Sequence, residues 1–144
     1  MEARRNARLV AVQAIFQYYF LKQDMTFIIK EFCQHRLTEN KKCDKDFFCT
    51  IVLGVEEKKE IIKEYIKNSL SEKWMLDRLD LTMQAIISLG IYELICCSFV
   101  PKNVIINEYV SISSQFYNDS NIGFVNGILE SLAKVIRKEN IING

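Results

Sequence analysis

The chain has 144 residues, enough for one ordinary domain with a real core. Hydrophobic residues make up 49% and charged residues 26%, which excludes an intrinsically disordered chain. A formal net charge of +1 excludes indiscriminate coating of nucleic acid, so any nucleic-acid binding must come from a local patch.

Five glycines and one proline are too few turn formers for an all-β fold. From Ala3 to about Leu21, Leu9, Val12, Ile15, Phe16, Tyr19 and Phe20 recur at steps of three and four, the pattern of an amphipathic helix. Arg4, Arg5 and Arg8 fall in its first two turns, where cations oppose the helix dipole. A local rule broken in this way marks a candidate site. A second helix is predicted from about Thr26 to Arg36, with Phe27, Ile28, Phe32 and Cys33 inward, and Thr38 to Cys43 reads as a loop. Asp44 then caps one long helical segment to Leu70, kept in period by Phe47, Phe48, Ile51, Val52, Val55, Ile62 and Ile66. Gly54 lies inside it at a cost of about 1 kcal/mol against alanine, which close helix packing offsets.

Trp74 begins a short turn leading into Leu79, and Asp80 caps a helix from Leu81 to Cys97. Apolar residues on most faces of that helix place it at the centre of a bundle. Pro101 opens the next helix, which reaches about Phe116. Asn118, Asp119 and Ser120 form a turn with several caps for a last helix from Ile122 to Lys138, and the tail ENIING reads as a frayed end. The prediction is an all-α fold, a compact bundle of six or seven helices in a single domain over 1–144, without repeats or linkers.

Catalytic chemistry finds little support. The only histidine is His35, and there is no Gly-rich phosphate loop, no HExxH helix and no GxSxG elbow. Glu93 beside Tyr92 and Glu108 beside Asn107 read as polar groups that satisfy neighbouring elements or lie on a binding surface. The five cysteines include no CxxC pair, and Cys33, His35 and Cys43 lack the spacing of a zinc knuckle. They read as reduced, partly buried thiols, with no metal and no cofactor. The opening MEARRNARLVAVQAIFQYYF is interrupted by Gln13 and Gln17 and has no small-residue cleavage site, unlike a signal peptide. Nothing approaches the roughly 20 apolar residues of a membrane span. A cytoplasmic, non-enzymatic protein is expected.

Arg4 and Arg8 are four apart and share a helix face, with Arg5 alongside. Guanidinium groups so placed suit bidentate contact with phosphates or stacking on splayed bases, and Phe16, Tyr18 and Tyr19 on the same helix suit single-stranded RNA. On spacing alone the cluster fits a solvated helix end with ordinary surface arginines somewhat better.

Four segments carry a resemblance: ARRNARLVAVQAIFQ at the start; Trp74, Arg78 and Leu79 followed by LGIYEL at Leu89 to Leu94; VPKNVIINEYV at Val100 to Val110; and FVNGIL at Phe124 to Leu129, with Arg137 trailing. In this order and spacing, over nearly the whole chain, they resemble the NusB family of transcription antitermination factors. The resemblance implies two small helical subdomains packed together, and binding of boxA-type single-stranded RNA. It implies the small-subunit ribosomal protein NusE as partner, with other Nus factors and RNA polymerase engaged indirectly. It further implies suppression of premature termination in rRNA transcription, by assembly of a complex. Arg4, Arg5, Arg8 and Gln13 match the family's basic opening, and Phe16 stands where a tyrosine is common. Asn126 and Gly127 match the FVNG motif near the RNA-binding end, and Glu93 matches the region associated with the ribosomal partner. Asn107 and Glu108 remain open between holding helices together and binding.

The departures have consequences. Asn6 and Gly123 stand where arginine and lysine are common, and Ile122 precedes Gly123; Met83, Gln84 and Ser88 replace the usual Asp, Arg and Arg. Each lost phosphate contact on a single strand removes about 0.7 unit of salt slope. Weaker RNA binding than in a typical relative, with greater dependence on the protein partner, is therefore expected. The alternatives are a protein-interaction module of the same fold with little RNA affinity, and a fragment of an RNA methyltransferase preceded by a NusB-like domain. A homodimer that masks the arginine face is also left open.

Overall fold

From Ala85 to Leu94 every residue of one helix is buried, and the other helices are arranged around it. The computed structural model describes residues 2–37, 42–70 and 79–143, with side chains through residue 138. These residues form seven helices and no strand: α1 (Glu2–Leu21), α2 (Met25–His35), α3 (Lys45–Glu57), α4 (Lys59–Ser69), α5 (Leu81–Cys96), α6 (Lys102–Ser113) and α7 (Asp119–Asn143). Helices α1 to α3 pack on one another as one small bundle, and α4 to α7 form a second. The central helix α5 belongs to the second and packs against both α1 and α3 of the first. Its apolar character on every face thus has a direct cause, since neighbours surround it.

Asp44 and Asp80 cap α3 and α5, their side-chain oxygens accepting from the backbone N–H of Phe47 and of Met83, each at 2.9 Å. Tyr117 donates to the same Asp80 carboxylate, tying the end of the α6 turn to the start of α5. Gly54 answers to close packing, as its sequence position suggested. A Cβ there would lie 2.1 Å from Cε1 of Tyr92, so α3 can approach α5 only without one.

Three segments differ from expectation. The long segment from Asp44 to Leu70 is two helices, broken at Lys58, whose backbone leaves the helical region (φ −99°, ψ 16°). The run Glu56–Glu60 has no apolar residue to hold one helical phase, and the break lets the Ile62 and Ile66 stripe of α4 find its own buried face. Pro101 is the cap residue preceding α6, which ends at Ser113 and continues as turns through Phe116. The last helix starts at Asp119 and its backbone stays helical to Asn143, past the Lys138 end expected for it. Trp74, Arg78 and most of the loop from Thr38 lie outside the described residues.

Candidate nucleic-acid interface

The three arginines at the start of α1 meet three different fates. Arg8 turns into the core. Its Nε and Nη2 donate to the two carboxylate oxygens of Glu93 at 2.8 and 2.9 Å, and the side chains are 4% and 0% exposed. The Tyr109 hydroxyl donates to Glu93 Oε2 at 2.5 Å. One carboxylate on α5 thereby fastens α1 and α6, with no buried side-chain polar atom unpartnered among the described residues. Burial pulls the Arg8 pKa down, but hydrogen bonding and charge from Glu93 reverse this and leave it raised. Burial, with the Glu93 carboxylate next to it, pushes the Tyr109 hydroxyl well above the ordinary phenol range.

Arg5 points outward and is 60% exposed. Its Nε and Nη2 donate to Glu108 of α6, both at 3.1 Å, and this bond together with the carboxylate's charge raises its pKa. Arg4 lies 3.9 Å from Asp44, and its guanidinium sits over two rings, 4.9 Å from the centre of Phe47 and 5.4 Å from that of Phe99. Arg8 stacks on Phe47 as well, at 5.1 Å. Each arginine thus reaches a carboxylate on another element, which resolves the charge conflict at the N-terminus of α1.

Farther along α1 the face changes character. Phe16 and Phe20 stack at 5.7 Å and line a groove of about 370 Å³ with Gln13, Arg36, Thr82 and Phe116. Arg36 donates to Gln13 Oε1 at 2.9 Å and lies over the ring of Phe32. Arg5, Phe16 and Phe20 fall on one side of the helix by their spacing, so the arginines lead into this aromatic groove beside α6. Tyr19, by contrast, turns inward and donates to Ser88 Oγ at 3.0 Å.

The structure therefore places Arg4, Arg5, Gln13 and Phe16 where a ligand can reach them. Asn126 and Gly127 are exposed on a different element, α7, with open space around Gly123 and Gly127. Arg8 and Glu93 do not face a ligand: both are buried in their mutual ion pair, which corrects the expectation of direct contacts at these two positions. Of the two residues left open, Glu108 is paired with Arg5 and Asn107 is exposed. Three of the departures are used internally. Asn6 donates to the Lys42 carbonyl at 2.7 Å, Gln84 donates to the Leu79 carbonyl at 2.8 Å, and Ser88 accepts from Tyr19. Asp44, Phe47, Arg36 and Phe116 were not read from the sequence as site residues. Their only signal was position, a helix cap, a core-phase ring and two helix ends.

Among the described residues no group of three or more His, Cys, Asp or Glu is placed to hold a metal ion. Burial pushes the Cys97 and Cys49 thiols up to about 11, far from a reactive thiolate.

The NusB family pattern matches residues 5–134, and a transcription antitermination protein NusB from Sphingopyxis alaskensis is 37% identical, covering 96% of this chain and 97% of that relative. The chain belongs to the NusB family. Among solved structures, T. maritima NusB superposes with a TM-score of 0.80 at 32% identity, covering 93% of each chain. A complex of the antitermination factors NusB and NusE with double-stranded RNA contains a chain with the same fold, TM-score 0.82 at 22% identity over 94% of this chain and 98% of that one. NusB membership agrees with the expectation of a binding factor rather than an enzyme.

Proposed function

We infer that this protein is a transcription antitermination factor that binds boxA-type single-stranded RNA jointly with the ribosomal protein NusE, in the cytoplasm, as one NusB-like domain over 1–144. The carrying observation is the exposed Arg4 and Arg5 pair, set on a buried pin and leading into the Phe16–Phe20 groove. Arg4 and Arg5 contact phosphates, Gln13 and Phe16 engage bases in the groove, and Asn126 and Gly127 extend the contact on α7. Arg8 and Glu93 serve from inside, by holding α1 against α5. Family membership supports the antitermination role, and a same-fold NusB chain solved together with NusE and RNA supports the two partners.

The Arg5 guanidinium is 60% exposed, so a phosphate can reach it while Glu108 still holds it in place. Two cationic contacts, with asparagine at position 6 and glycine at 123, give modest RNA affinity and leave the partner to supply the rest. The test is binding of a boxA-like single strand and a scrambled control at two salt concentrations, with and without NusE. Preference for the boxA-like strand that rises with NusE is expected. No preference under any condition, with NusE still bound, would leave a protein-interaction module.

A further inference from the structure

Arg8, Phe47, Arg4 and Phe99 form a ladder in which guanidinium and ring alternate from the core to the surface. Arg8 is 4% exposed at the inner end, Phe47 is buried, Arg4 is 44% exposed, and Phe99 is 66% exposed at the outer end. An aromatic ring so exposed has shed much of the benefit of burial, worth about 1.5–3 kcal/mol for such a side chain. Among the described residues its one ring contact is with the Arg4 guanidinium.

The turn that carries Phe99 is held firmly. Arg137 of α7 donates to four backbone carbonyls around it: Leu94 at 3.0 Å, Cys97 at 3.3 Å, Ser98 at 3.4 Å and Val100 at 3.0 Å. The guanidinium satisfies carbonyls at the C-terminal end of α5 and carries positive charge where the helix dipole favours it. The Val100 N–H closes the turn on the Cys97 carbonyl at 2.9 Å. A ring on a turn clamped in this way loses little freedom when something stacks on it.

We propose that Phe99 is a stacking platform for one nucleobase of the bound RNA, with Arg4 beneath it and Arg137 as the positioning residue of its turn. The chemistry favours a base over an arginine of a protein partner. Arg4, 5.4 Å from the ring centre, sets a cation against Phe99, which attracts an anionic strand and repels a second guanidinium. A base offers a π-face to the ring while its own phosphate reaches the arginine donors. The inference rests on the RNA-binding reading above and names one base contact within it.

The experiment uses the full chain and a boxA-type oligoribonucleotide, with Phe99→Leu and Phe99→Trp variants. Leucine keeps apolar bulk and loses the aromatic face, so it should weaken binding about tenfold, while tryptophan should bind at least as well as the parent. Replacing nucleotides one at a time by abasic residues should reveal a single position at which Phe99→Leu costs nothing further. Arg137→Met should weaken binding through that same position, so that it adds little in the Phe99→Leu background; a merely structural loss would add in full. Equal affinity for parent, leucine and tryptophan variants, or an effect spread evenly over all positions, would overturn the platform while leaving RNA binding intact. So would an effect of Phe99→Leu on NusE binding alone. A parent chain that binds no RNA with or without NusE would overturn both readings together.

Discussion

Two ends of one arginine cluster behave as different materials. Arg8 and Arg5 are less than one helical turn apart on α1, and each makes a bidentate pair with a glutamate. The Arg8 pair is sealed in the core and joined by Tyr109, whereas in the Arg5 pair the guanidinium is 60% exposed and the Glu108 side chain 15% exposed. Burial therefore separates them more than bonding pattern does. A buried pair is costly to break one-sidedly, because the survivor is left charged without water. A guanidinium left exposed in its pair can still be reached by a phosphate. The same residue type thus holds the fold at one position and stays available to a ligand at another.

The largest way to break this contrast is Glu93→Leu. It strands a buried guanidinium and removes the acceptor of Tyr109, and should lower stability by about 3–5 kcal/mol in urea unfolding. The Arg8→Met/Glu93→Leu double variant should recover a substantial part of that loss. Singles that unfold like the parent would mean that the core pair is not a pin.

Gly54→Ala tests the packing around the same helix. Its Cβ would collide with the Tyr92 ring, and overpacking of this kind costs about 1–3 kcal/mol. In a Tyr92→Leu background the alanine should cost clearly less, since the colliding ring atoms are gone. An equal cost in both backgrounds would place the strain elsewhere.

Alkaline pH sharpens the contrast without mutation. The Cys97 thiol is pushed up to about 11 and the Tyr92 hydroxyl up to about 12, and Tyr109 is also raised, in each case first by burial. Acids whose pKa is higher folded than unfolded favour the native state below the unfolded pKa and lose that contribution as pH rises through the folded one. The unfolding midpoint should therefore show no loss from these groups near neutral pH and fall from about pH 9 upward, as their unfolded forms ionise. A midpoint unchanged up to pH 11 would contradict these shifts.

How much of this was legible in the sequence depended on what the residues had to face. Period and composition gave a bundle of six or seven helices, the central α5 and both aspartate caps, because apolar spacing and caps are local signals. The break at Lys58 was hidden because the charged run around it carries no apolar phase on either side. Arg8 could not be told from Arg4 and Arg5, since spacing places arginines on a helix but does not say which neighbours cover that face. Arg137 stood out only as part of the family resemblance. Its grip on the turn of Phe99 depends on α7 lying across the end of α5, a contact between residues about 40 apart in the chain that spacing does not encode.

The smallest expected effect on folding comes from Arg4→Ala/Arg5→Ala, whose unfolding midpoint should match the parent's. The most direct test of the central claim is the slope of log affinity against log salt for a boxA-like single strand, in the parent and in that double variant. Loss of two phosphate contacts should make the slope shallower by about 1.4, at about 0.7 per contact on a single strand. An unchanged slope in a variant that still binds RNA would contradict the account, because the exposed arginines would then not be touching the phosphates.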